Sequence, residues 1–146
     1  MAKRALVTGI GGQDGFYLAE LLHGHGYEVF GTALSSPEGL PDGVQLVGLE
    51  LADADAVRAK IREIAPDETY HLASASFVPA SWEDPAGTSS FAAGSAAALL
   101  DAVRRDHPEG RFLNAASGEI FGVPHEAPQT EQTPIAPITP YGAGKA

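Results

Sequence analysis

The chain has 146 residues, enough for one sizeable core. Nineteen acidic against nine basic side chains leave a formal charge of −10, which argues against broad nucleic-acid binding; an anionic ligand must be held by local donors. There is no cysteine, so neither a disulfide framework nor a thiolate metal site is available, and no apolar run approaches the ~18 residues of a membrane span.

In chain order, Lys3 and Arg4 precede only Ala5, Leu6 and Val7 before Thr8, too short an apolar run for a secretory leader, and the expected location is the cytoplasm. Lys3 to Thr8 reads as a buried strand. Glycines 9, 12 and 15 then form G-x-x-G-x-x-G ahead of a helix from Gly15 to His25, where Phe16, Leu18, Leu21 and Leu22 recur at helical spacing. Strand, tight turn and helix make a dinucleotide-binding turn. The first glycine allows positive φ, the second admits a pyrophosphate close to the backbone, and the third seats the helix near the sheet. Orphan N–H groups and the positive end of the helix dipole would face the phosphates.

Tyr27 to Thr32 is a second strand, residues 35–43 an exposed loop of turn-formers, and Val44 to Leu49 a third strand. Asp53 is placed to cap a helix carrying Val57, Ile61 and Ile64, which stops before Pro66. Glu68 to Ala73 is a fourth strand, Pro85 to Arg105 a long Ala- and Ser-rich helix, and Arg111 to Ala116 a fifth strand. A loop broken by prolines 124, 128, 134, 137 and 140 leads to a helix starting at Tyr141. His23 and His25 suit a helix end as cations and no metal site is expected; His71 is expected in the core, and Trp82 as a cover over an apolar surface.

Apolar strands joined by helical connections imply a parallel sheet with right-handed crossovers and helices on both faces. The expected fold is α/β, a Rossmann-type doubly wound sheet of about five strands in order 3-2-1-4-5, with a ligand crevice over the strand C-terminal ends. Two groups of residues carry candidate chemistry. Tyr141 and Lys145, at i and i+4, share a helical face. An ammonium beside a phenol favours phenolate, and such a phenol can exchange a proton with a sugar or alcohol hydroxyl; two solvent-facing residues would show the same spacing. Ser117 can hydrogen-bond the same hydroxyl or merely cap a turn, and Glu119 is a general acid or base or a solvated loop residue.

Thr8-Gly-Ile-Gly-Gly-Gln-Asp-Gly15, Leu72-Ala-Ser-Ala-Ser76, Ser117-Gly-Glu119-Ile-Phe-Gly122 and Pro140-Tyr-Gly-Ala-Gly-Lys145 resemble the extended short-chain dehydrogenase/reductases. Within that superfamily they are most similar to the GDP-mannose 4,6-dehydratases, the Gly-Gln-Asp-Gly turn followed by Tyr-Leu-Ala-Glu-Leu-Leu being the specific pointer. The resemblance implies that Ser117 and Tyr141 act on the sugar O4 hydroxyl, that Lys145 binds the nicotinamide ribose and tunes the tyrosine, and that Glu119 removes the C5 proton and assists loss of the C6 hydroxyl. Hydride would leave C4 for NADP or NAD and return to C6. The turn with Gly9, Gly12, Gln13, Asp14 and Gly15 would hold the pyrophosphate. Glu50 and Leu51 would lie by the adenine, and Leu72, Ala73, Ser74 and Ser76 would line the path to the nicotinamide, which Tyr141 and Lys145 also meet.

Several residues depart from the family's pattern. Glu50 stands for the usual Asp, Leu34 and Ser35 for an arginine pair that grips the NADP 2′-phosphate, Gly87 for a tyrosine, and Gly118 for a serine. No acid at the second strand's end replaces those arginines, so the choice between NAD and NADP is open. The resemblance covers the whole chain but only the N-terminal part of the family's sequence, so residues 1–146 are expected to be an NAD(P)-binding domain, incomplete at its C-terminal end and without the substrate domain. The last helix, at most about one and a half turns, is expected to fray. The implied partner is a nucleotide sugar, GDP-mannose first, with a homo-oligomer or a complementing C-terminal chain as possible assemblies. Neither nucleic acid nor membrane is expected. The alternatives are a nucleotide-sugar epimerase or reductase of the same superfamily, and a non-catalytic dinucleotide-binding module.

Overall fold

Parallel pairing of five short strands organises the fold. A computed structural model describes residues 2–35, 37 and 39–146; Ser36 and Glu38, inside the loop predicted over 35–43, lie outside the described residues. The elements are β1 (Arg4–Thr8), α1 (Gln13–Gly24), β2 (Glu28–Thr32), β3 (Val44–Leu46), α2 (Ala54–Ile64), β4 (Glu68–His71), α3 (Pro85–Asp106), β5 (Arg111–Asn114) and α4 (Pro140–Lys145), with 3₁₀ turns at Val78–Trp82 and Gly118–Phe121. The chain divides into two compact units, Met1–Ala73 with Ala96–Ala115, and Ser74–Ser95 with Ala116–Ala146.

The first unit holds the sheet, in the expected order β3-β2-β1-β4-β5. Every pairing is parallel, with Thr8 opposite Thr32 on one side and His71 on the other, and His71 opposite Asn114. β1 is central. Its Ala5 and Val7 join Ile10, Ala19, Leu22 and Val29 in one buried cluster, while Leu6 is fully buried too. Side chains alternate across a strand, so both faces are covered at β1, as a parallel sheet requires. α2 begins at Asp53, whose carboxylate accepts from the N–H groups of Asp55 and Ala56. It ends at Ala65, in the left-handed region at φ 45°, just before Pro66. Val57, Ile61 and Ile64 are its buried stripe. Asp106, at the end of α3, accepts a bidentate pair from Arg58 of α2 at 2.8 and 3.0 Å and a third bond from Arg62.

At the N-terminal end of the strands, Glu68 accepts from the hydroxyls of Tyr27 and Tyr70, and the Lys3 ammonium stands 3.7 Å away. The Tyr70 hydroxyl bond, then that of Tyr27 and the Lys3 charge, hold the Glu68 carboxyl below the ordinary range against the opposing effect of burial. Burial, followed by the same carboxylate, pushes Tyr70 up to about 12.

The second unit contains the 78–82 turn, residues 85–95 of α3, the 118–121 turn and α4. The 78–82 turn was not predicted, and Trp82 on it is 61% exposed, contrary to its expected role as a cover. Gly122 turns the chain at φ 59°, and the N–H of Ala136 returns to donate to the Ile120 carbonyl at 2.9 Å. This brings a long proline-broken loop back beside the 118–121 turn.

Candidate active site

The glycine turn lies at the C-terminal end of β1. Gly9 has φ 73°, and a Cβ there would stand 2.9 Å from the backbone of Ala73, so only glycine fits both the turn and the approach of β4's end. Gly12 N–H donates to the Gly9 carbonyl at 3.0 Å and closes the turn. Gly15 is buried, and a Cβ on it would collide with the Gly9 oxygen, which is the close helix seating expected of the third glycine. α1 starts two residues earlier than predicted, with Gly12 as N-cap and no side-chain cap. Gly11, Gly12, Gln13 and Asp14 are exposed. The first N–H groups of α1 are therefore presented to solvent with no side-chain acceptor at the cap, a geometry that suits a pyrophosphate.

Thr8 supports this turn from below, a role that sequence reasoning missed. Its hydroxyl oxygen accepts from the N–H groups of Leu72 and Ala73, both at 3.2 Å, and lies 2.7 Å from Nδ1 of buried His71. His71 is a core histidine as expected, and it helps fix where β4 ends beside Gly9. Leu72 and Ala73 are half-buried there. Glu50 is exposed and its carboxylate folds back on the N–H of Ala52 at 3.1 Å, while Leu51 is buried. Leu34 and Ser35, in the place of the arginine pair, are both exposed.

The remaining candidates fall in the second unit. Ser74 is half-buried and Ser76 exposed. Ser117 leads into the 118–121 turn, its hydroxyl oxygen accepting from the Glu119 N–H at 3.2 Å, which leaves its own proton for another acceptor. Glu119 is half-buried. Tyr141 and Lys145 lie one turn apart on α4 and are each only 9% exposed. Burial lowers the pKa of the Lys145 ammonium.

The six residues of α4 are too few to hold a helix alone, and the structure provides the missing support. Thr139 caps the helix, its hydroxyl accepting from Gly142 N–H at 2.9 Å. Ser89 donates to the Pro140 carbonyl at 3.0 Å. A Cβ on Gly142 would stand 2.6 Å from the Glu119 carbonyl oxygen, and one on Gly144 would stand 3.0 Å from Ser89 Cα and Ala92 Cβ. The two glycines of Tyr-Gly-Ala-Gly-Lys are thus the places where α4 meets the 118–121 turn and α3. Carboxylate, phenol, hydroxyl and ammonium within one unit can move protons to and from a substrate bearing hydroxyl groups.

A profile of the GDP-mannose 4,6 dehydratase family matches residues 6–146. A GDP-mannose 4,6-dehydratase of Yersinia enterocolitica is 37% identical over 159 residues, taking in 98% of this chain and 43% of that protein. GDP-mannose 4,6 dehydratase 2 of Arabidopsis thaliana is 39% identical over 162 residues, again with 98% and 43% covered. The chain spans less than half the length of these relatives. Among solved structures, UDP-glucose 4-epimerase from Brucella ovis in complex with NAD matches with a TM-score of 0.88 at 29% identity, over 99% of this chain and 45% of that one. The corresponding enzyme of Thermus thermophilus, in complex with NAD, matches with a TM-score of 0.84 at 32% identity, over 97% and 47%. The family profile runs through both the glycine turn and the Tyr-Lys helix, and the chain belongs to the GDP-mannose 4,6-dehydratase family.

Proposed function

We propose that residues 1–146 are the cofactor-binding and catalytic part of an NAD(P)-dependent nucleotide-sugar 4,6-dehydratase whose substrate is GDP-mannose. The observation that carries the reading is the seating of α4 on the 118–121 turn: it groups Glu119 and Ser117 with Tyr141 and Lys145 in one unit. The turn from Gly9 to Gly15, with Glu50, Leu51, Leu72, Ala73, Ser74 and Ser76, would hold the dinucleotide, joined by Tyr141 and Lys145. When bound, the nicotinamide supplies a temporary acceptor for hydride from C4, returned at C6.

The chain's own residues handle protons. Tyr141, with Ser117 on the same hydroxyl, takes the proton of O4; Lys145 orients the ribose and stabilises the phenolate. Glu119 removes the proton at C5 and delivers one to the C6 hydroxyl, which departs as water; as hydride returns to C6, the proton that Tyr141 took from O4 is given back at C5. A carboxylate in that place favours dehydration over the C4 epimerisation named for the solved neighbours, because epimerisation at C4 needs no base at C5. Leu34 and Ser35 lack the charge that would grip a 2′-phosphate, so the reading extends to either NAD or NADP.

The test is product analysis on GDP-mannose with each cofactor, using the gene product that carries these residues. The expected product is a 4-keto-6-deoxy sugar nucleotide with no net consumption of cofactor. A C4-epimerised product would sink the dehydratase reading in favour of an epimerase, and dinucleotide binding without turnover would favour the non-catalytic module.

A further inference from the structure

Thr139 is absent from the catalytic set above, yet two of that set's elements meet at its side chain. Its hydroxyl oxygen accepts from Gly142 N–H at 2.9 Å, as the N-cap of the helix that carries Tyr141 and Lys145. With that bond made, the hydroxyl proton is free to point elsewhere, and Oε2 of Glu119 lies 3.5 Å away. That distance is at the outer limit of a hydrogen bond. Hydrogen bonds among catalytic groups are commonly long without substrate and shorten in the complex. The surroundings limit where this carboxylate can go: Glu119 N–H is held by Ser117, and Gly142 sits against the Glu119 carbonyl. Pro140, at the first position of α4, has φ preset for the helix and stands between the cap and Tyr141.

We propose that Thr139 is a positioning residue for the dehydration: its single hydroxyl starts the helix of Tyr141 and Lys145 and at the same time steers the carboxylate of Glu119. The inference deepens the reading given under Proposed function and rests on it for the identity of the step. Only a side chain that accepts from a backbone amide while donating to a carboxylate does both. Serine can, valine can do neither, and ionised aspartate can cap but has no proton to give.

Three variants and two measurements separate the roles. In this chain, Thr139→Val is expected to speed hydrogen exchange at Gly142 N–H about fivefold, the loss of a cap, while Thr139→Asp and Thr139→Ser keep it. A double-mutant cycle of Thr139→Val with Glu119→Gln, read by urea midpoints, is expected to be non-additive, as for residues in contact. In the gene product acting on GDP-mannose, Thr139→Asp is expected to lower kcat about tenfold to a hundredfold with KM little changed, and Thr139→Ser to restore it. Should Thr139→Val leave Gly142 exchange unchanged, or the cycle be additive, the proposal falls whatever the activity. Wild-type turnover that Thr139→Asp does not slow would overturn it too. If coupling and exchange behave as expected but the wild type does not dehydrate GDP-mannose, the function reading fails while the positioning of Glu119 stands.

Discussion

The hydroxyl of Thr8 lies 2.7 Å from Nδ1 of His71, and both side chains are buried where β1 and β4 end. Two backbone N–H groups, of Leu72 and Ala73, already point at the Thr8 oxygen. The hydroxyl proton is then left for Nδ1, which puts the ring's own proton on Nε2. Nitrogen NMR of His71 should report that tautomer. Thr8→Val removes the hydroxyl that Ala73 N–H, Leu72 N–H and His71 Nδ1 share, Leu72 N–H keeping the Thr8 carbonyl at 3.3 Å, and should cost about 1–3 kcal/mol by urea denaturation. Thr8→Ser should recover most of it; a loss for Thr8→Ser with none for Thr8→Val would point to the methyl group instead.

The glycines divide into two classes that substitution should separate. Gly9→Ala meets both a positive φ and the Ala73 backbone at 2.9 Å, and Gly15→Ala meets the Gly9 oxygen more closely still. Each should destabilise by about 1–3 kcal/mol or more and impair dinucleotide binding. Around Gly118 there is open space and no positive φ. Gly118→Ala should therefore stabilise by about 0.4–1 kcal/mol through the unfolded chain. Thermal melts of the three variants check the contrast, and a loss at Gly118 would show that its flexibility is not the relevant property.

Acid should weaken the first unit. The Glu68 carboxyl is held below its ordinary range by Tyr70, Tyr27 and Lys3, and that of Asp106 chiefly by the Arg58 hydrogen bond. For a carboxyl with a depressed folded-state pKa, the stabilisation is complete above the unfolded-state value. It is lost as pH falls through the folded-state value. Denaturation midpoints should therefore fall as pH drops through and below the ordinary carboxylate range. Glu68→Gln should lower the midpoint at neutral pH and flatten the acid limb, and an unchanged acid slope would remove Glu68 from the account.

Thr69 sits in β4 with a buried hydroxyl that has no hydrogen-bond partner among the described residues. Valine has nearly the same shape, favours strands and carries no polar atom. Thr69→Val should raise stability by about 1 kcal/mol in a urea titration. A loss of stability instead would mean that the hydroxyl has found a partner.

Periodicity made the sheet legible: the apolar runs located all five strands, and Asp53 ahead of a helical stripe located the start of α2. Strand ends were drawn too long. β3 stops at Leu46 and β4 at His71, with one further inter-strand bond each, from Val47 N–H to the Gly31 carbonyl and from Leu72 N–H to the Thr8 carbonyl. The Val78–Trp82 turn was invisible, since Val-Pro-Ala-Ser-Trp matches neither a twofold nor a helical period. At the site, the glycine turn, Glu119 and the Tyr-Lys pair stood out through their spacing. Thr139 carried a readable signal, a threonine before a proline at a helix start, but its approach to Glu119 joins residues twenty positions apart and only the fold brings them together. Glu50 was expected at a ligand, and its turn back onto Ala52 is a local hydrogen bond that spacing does not display.

α2 and α4 each begin on a side chain that satisfies their first amides, whereas α1 begins on a glycine that satisfies none. A serine or aspartate at such a start is an easy improvement in stability, and under the proposed function its omission would keep those first amides open to the dinucleotide's pyrophosphate. On that reading free dinucleotide would be a folding variable as well as a cofactor. Each increase in its concentration above the dissociation constant deepens the native well logarithmically, so the same polypeptide would melt higher in a cell rich in dinucleotide than in a desalted buffer.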